Sequence, residues 1–193
     1  MNRQSRQFEY MSLDDFEELL ADKPADEKWE LISGRVVRMM VGARWEHNRI
    51  IANLLTSLMS SLRAKGSSCR PFSETFYLKD HALDLAALPD VIVRCGSLDA
   101  DATSLNDPVV LVEVVSKGSE QRDRWEKWGS YQHLGSLKHY VLVERDRIAI
   151  DVIDRMETGW FNRPRLEASA DLLKLPAIDF EMSVAEVYRD VFA

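Results

Sequence analysis

The chain has 193 residues, 46% of them hydrophobic and 30% charged, with a formal net charge of −7 at pH 7. That length suits one domain, spanning 1–193, with a sizeable core. The acidic sum argues against a protein held on a polyanion by bulk charge alone, and no apolar run is long enough to cross a bilayer. The first residues, MNRQSRQFEYMSLDD, contain no apolar stretch of the signal type, so the cytoplasm is the expected compartment. Cys69 and Cys95 are far apart with no Cys or His close to either. That excludes a zinc cluster of the usual spacing, and the expected state is a pair of buried or incidental thiols rather than a disulfide.

Taken in order, Ser12 followed by Asp15 predicts a short capped helix over 12–21. The apolar-rich runs 29–32 and 35–41 flank Ser33-Gly34 and predict a β-hairpin. From Trp45 to about Ala64 the apolar residues fall at 45, 50, 51, 54, 55, 58, 59 and 62, one continuous face of a helix that Lys65-Gly66-Ser67-Ser68 ends. Residues 72–78 predict one strand and 88–94 a second, with Pro89 confined to its start. After a loop over 95–107, the run 109–116 is β-branched and apolar enough to be a strand buried on both faces. A helix is expected over 119–134, with Asp123, Lys127 and Tyr131 on one face and Trp125 and Trp128 packing it to the sheet. Residues 139–143 and 148–153 form a second hairpin. The tail holds a weak strand near Trp160, an apolar pair at Leu172-Leu173 and a short helix over 183–192. The helix at 119–134, crossing between the strands 109–116 and 139–143, makes those two parallel, giving an α/β sandwich with a mixed sheet.

One residue does not fit. Glu113 sits in the middle of the most apolar strand, and a lone carboxylate among buried valines costs several kcal/mol, on the order expected for an uncompensated buried charge, unless something positive meets it. A divalent cation is the strongest candidate. Asp90 opens the preceding strand, and if the two strands pair, both carboxylates can face one side of the sheet. With the backbone carbonyl of Val114 they make an oxygen-rich, partly open site of the kind that Mg2+ or Mn2+ occupies, with waters completing the shell. The charge distribution agrees with a polyanionic substrate. Positions 33–70 carry Arg35, Arg38, Arg44, Arg49, Arg63, Lys65 and Arg70 against the single acid Glu46, and acids dominate 74–113.

The pattern Asp90…Glu113-Val114-Val115, in consecutive strands preceded by one helix and followed by a helix and a strand, resembles the PD-(D/E)XK nuclease superfamily. More narrowly, it is similar to the Uma family of restriction-endonuclease-like proteins. The matching pieces are Glu30-Leu31-Ile32-Ser33-Gly34, His47 at a helix start, Pro89-Asp90-Val91, Glu113-Val114-Val115-Ser116, then Asp123, Lys127 and Tyr131, and finally Lys138 to Val143.

The resemblance implies a restriction-endonuclease-like αβββαβ core over about 29–145, with an N-terminal helix and hairpin and a C-terminal hairpin extension. It also implies metal-dependent hydrolysis of phosphodiester bonds in DNA, with Asp90 and Glu113 as metal ligands. The superfamily's lysine, two residues after the glutamate, is Val115 here. In Uma-type proteins a lysine on the following helix takes its place, which Lys127 matches, with Lys117 a second candidate. Its task would be to orient or deprotonate the attacking water. Glu30 and His47 add contacts near the metal, and Tyr131 packs at the core edge close by. A homodimer addressing two strands is expected. A non-catalytic nucleic-acid or protein binding module that keeps the fold is the alternative, and a phosphohydrolase acting on small phosphate esters is a third reading.

Overall fold

The computed structural model describes residues 10–40, 42, 44–116 and 122–192, with the side chains of 122–124 left out of account. Helix α1 (Leu13–Leu20) starts where the sequence places it, the Ser12 hydroxyl accepting from the Asp15 N–H. Strands β1 (Glu27–Ile32) and β2 (Arg35–Met40) form the expected antiparallel hairpin, and Ser33 and Gly34 both adopt positive φ in its two-residue turn. The stretch expected as one strand over 72–78 is two: β3 (Cys69–Ser73) and β4 (Tyr77–Asp80). They are separated by a turn and belong to different sheets. Strand β5 (Leu85–Ala87) is too short to show a period and pairs with both β1 and β4.

Strands β6 (Val91–Cys95), β8 (Val110–Val115), β9 (His139–Glu144), β10 (Ile150–Met156) and β11 (Gly159–Asn162) complete a six-stranded sheet ordered β11-β10-β9-β8-β6-β3. In it β8 and β9 are parallel, as the crossover requires, and the other pairs are antiparallel. The second sheet, β2-β1-β5-β4-β7, takes in the two-residue β7 (Ser104–Leu105), and a C-terminal hairpin pairs β12 (Leu172–Leu175) with β13 (Phe180–Ser183). The closing helix α4 is shorter than expected, Val184–Val187, held by a capping box between Ser183 and Glu186. No described helix is long and apolar enough to cross a membrane.

Alternation along β8 divides the core. Val110, Val112 and Val114 face helix α2 (Trp45–Ala64), whose Ile50, Leu54, Leu58 and Leu62 are buried with them and with the C-terminal hairpin. Leu111 and Val115 face the other way, onto Tyr131, Leu134 and Leu137. The helix expected over 119–134 is described from Arg122: a π-helical turn Arg122–Lys127 runs into α-helix Trp128–Tyr131, together α3. Trp128 packs on the sheet as expected, but Trp125 does not and stands 71% exposed.

One expectation is overturned outright. Cys69 and Cys95 are directly opposite in the β3–β6 register and are joined as a disulfide. Strand register, which brings distant positions side by side, supplied a partner that spacing along the chain could not reveal.

Candidate active site

Strand β8 carries Glu113 on the face that α3 covers, one step along from Leu111. The β6–β8 register sets Val91 opposite Val112, so Asp90 stands next, opposite Glu113, where the two strands part. Pro89 offers no N–H at this point, and strand pairing stops. The Asp90 carboxylate replaces the missing ladder partner, its Oδ2 accepting from the Val114 N–H at 2.6 Å. The two acids therefore meet at one end of the sheet. Both line a cleft of about 490 Å³ whose walls also include Lys28, Glu30, Arg44, His47, Ser116, Lys127 and Arg145.

Lys127 is a positive partner of Glu113. Glu30, Glu113 and Lys127 are 0%, 3% and 3% exposed, and the ammonium lies 2.9 Å from Glu113 Oε1 and 3.1 Å from Glu30 Oε1. Three chain-distant elements supply this triad: β1, β8 and α3. Buried charges of this kind persist only when paired and hydrogen-bonded. Glu30 Oε1 also accepts from the Leu88 N–H at 2.8 Å, whereas Glu30 Oε2 is buried without a partner. The Tyr131 hydroxyl donates to Glu113 Oε1 at 3.1 Å.

His47, in the first turn of α2, reaches Asp90 Oδ2 through Nε2 at 3.2 Å, and its Nδ1 is buried without a partner. Burial alone pulls the His47 pKa down. The hydrogen bond and charge of Asp90, helped by the charge of Glu74, outweigh it, and the net shift is upward.

All five side chains singled out in the sequence, Glu30, His47, Asp90, Glu113 and Lys127, thus converge on one cleft, and Val114 lines it with them. Lys117 lies outside the described residues, and so does the side chain of Asp123. The donors are carboxylate and carbonyl oxygens, the set that hard divalent cations prefer, and the orphaned Glu30 oxygen adds to it. Among the described residues no group of three or more His, Cys, Asp or Glu is arranged to hold a metal ion. What sequence reading undervalued is Tyr131, read as packing although it stands four residues after Lys127, one helical turn away on the same face.

Residues 13–185 match the family model Uma2, described as "Putative restriction endonuclease". The chain belongs to the Uma2 family. Two Synechocystis proteins are similar to it. The uncharacterized protein slr1290 is 29% identical over 164 residues, covering 84% of each chain. The uncharacterized protein sll1609 is 26% identical over 132 residues, covering 67% of this chain and 73% of its own. Among solved structures, the crystal structure of a putative nuclease belonging to DUF820 from Anabaena variabilis superposes with a TM-score of 0.74 at 16% identity, over 92% of this chain and 97% of that one. The restriction-endonuclease-like fold expected for a Uma2 chain is thereby shown.

Proposed function

We propose that the protein is a divalent-metal-dependent endonuclease that hydrolyses phosphodiester bonds in DNA. Asp90 and Glu113, with the Val114 carbonyl, hold Mg2+ or Mn2+. The observation that carries this reading is a lysine buried between two acids in the wall of an open cleft that Asp90 and Glu113 also line. A structural ion pair has no need of a cleft, and buried charged groups gathered in the wall of one mark a candidate functional site.

Bound there, a divalent cation supplies charge stabilisation to the phosphate and acidifies the attacking water. The chain's own groups do the rest. The Lys127 ammonium lies within reach of two acids and serves as a donor that orients the water and meets charge developing on the phosphate oxygens. Water's oxygen bonds to phosphorus as one P–O ester bond breaks, leaving a phosphomonoester and an alcohol. Glu30 holds Lys127 as a second acid beside Glu113, and His47 steadies Asp90. Arg44 and Arg145 in the cleft wall, with the exposed Arg35, Arg38 and Arg49, contact phosphates along the strand.

The test is cleavage of plasmid and single-stranded DNA with Mg2+ or Mn2+. Asp90→Ala and Glu113→Ala are each expected to lose at least about a hundredfold in rate. Activity unchanged in both would remove the assignment. A homodimer, proposed with this activity, would cut both strands of a plasmid in one encounter, while a monomer would accumulate nicked circles. Action in the cytoplasm is also proposed.

One observation favours a non-catalytic binding module instead: among the described residues no group of three or more His, Cys, Asp or Glu is arranged to hold a metal ion. Calorimetric titration with Mg2+ and Mn2+ at neutral pH separates the two readings, since the module needs neither ion.

A further inference from the structure

We infer that Tyr131 is a positioning residue of the site: its hydroxyl holds the Glu113 carboxylate in place while Lys127 attends to substrate. The catalytic meaning rests on the nuclease reading above, and the contact rests on geometry. Two donors meet on one oxygen, Lys127 Nζ at 2.9 Å and Tyr131 OH at 3.1 Å from Glu113 Oε1. They are unlike in character. The ammonium is shared with Glu30 and rides on a flexible four-carbon stem, so it can swing toward a phosphate or a water. The phenol has few torsions and no room to move.

Its ring is fully buried and meets Tyr140 edge-on, centroids 5.5 Å apart. Tyr140 stacks in turn on Trp128, at 5.4 Å and 7° between planes. Tyr140 lies opposite Leu111 in the β8–β9 register, on the strand that carries Glu113. The hydroxyl is thus aimed by an aromatic stack built on the same sheet as the group it holds. The preceding residue adds a second tether. Ser130 and Ser33 share a hydrogen bond of 2.8 Å, and Ser33 directly follows β1, the strand that presents Glu30. One short helix therefore fixes the positions of both acids that flank Lys127. When Lys127 turns outward, the Tyr131 hydroxyl stays on Glu113.

Tyr131→Phe keeps the ring and deletes the hydroxyl. The variant is expected to unfold cooperatively, to bind Mn2+ about fivefold or more weakly by calorimetry, and to lose about tenfold or more in kcat with KM for DNA unchanged, the signature of a contact that acts on the reacting groups rather than on binding. Mn2+ affinity and kcat equal to wild type, with only the melting temperature lowered, would make Tyr131 a packing residue and overturn the inference. Should the phenylalanine variant fail to fold, fluorotyrosine at 131 keeps ring and hydroxyl and makes the hydroxyl a stronger donor. An Mn2+ affinity that does not respond to it likewise overturns the inference.

If wild type neither binds Mn2+ nor cleaves DNA, the nuclease reading falls. The contact is then judged by a double-mutant cycle on thermal unfolding with Tyr131→Phe and Glu113→Gln. Non-additive shifts sustain the positioning contact, and additive shifts end it.

Discussion

Lys127 is the residue on which the site's electrostatics turn. Its ammonium is the cation between two buried carboxylates, Glu30 and Glu113, and both lie deeper than any solvent ion pair on the surface. Lys127→Met keeps the length of the side chain but removes the positive charge beside the two acids. The expected cost is about 3–5 kcal/mol in urea unfolding at pH 7. The proposed rate contribution, about 10²–10⁴-fold, should go with it. Adding Glu30→Gln to the Lys127→Met background should recover part of the stability and none of the rate. Stability equal to wild type in Lys127→Met would mean that the triad is not a compensated cluster. Asp90 is a contrasting case: its carboxylate already has the Val114 N–H and His47 as partners, so its neutralisation bears on the site more than on the core.

Between elements, polar links add direction to apolar packing, which has none of its own. His139 on β9 donates through Nδ1 to Asp154, its cross-strand neighbour on β10, at 2.7 Å. Its Nε2 accepts from the Ala177 N–H at 3.1 Å, in the 3-10 turn Pro176–Ile178. The ring is therefore needed neutral, with its single proton on Nδ1. Burial lowers the His139 pKa below its ordinary value of 6.5, a shift that Asp154 opposes and Arg163 reinforces. The sign follows from proton counting. Above 6.5 neither state binds the proton and stability is complete. As the pH falls from 6.5 toward the lowered native value, the unfolded chain takes up a proton that the folded chain refuses, and stability declines. Urea unfolding between pH 7.5 and 5 should show that decline in wild type and a smaller one in His139→Gln. Equal slopes would mean that His139 stays uncoupled from folding.

For the molecule as a whole, the disulfide closes the segment from β3 to β6, whose first neighbour in the chain is Asp90. With its cysteines 26 positions apart, loop-closure entropy predicts about 3–4 kcal/mol of stabilisation. Treatment with a reductant, or Cys69→Ser, should lower the unfolding free energy by roughly that amount. A loss near zero would mean that the reduced chain keeps the β3–β6 pair through its ladder alone. The same segment shows where long-range order is decided. Residues 69–80 divide between two sheets, although nothing at Glu74-Thr75-Phe76 marks a break in the way that Gly or Pro would.

Elements with a strong period could be read before any coordinates. Helix α2 occupies the residues its apolar spacing named, and β8 stands out as a strand buried on both faces, because regular burial imposes a repeat on the sequence. Glu113 was conspicuous for the same reason, as the one residue that breaks the repeat. Folding alone settled the identity of its counter-charge, the hydroxyl beside it, the orphaned oxygen on Glu30 and the bond between Cys69 and Cys95. Each of these joins residues on different elements, and contacts of that kind leave no local pattern. They exist only once two sheets and a short helix have been brought edge to edge.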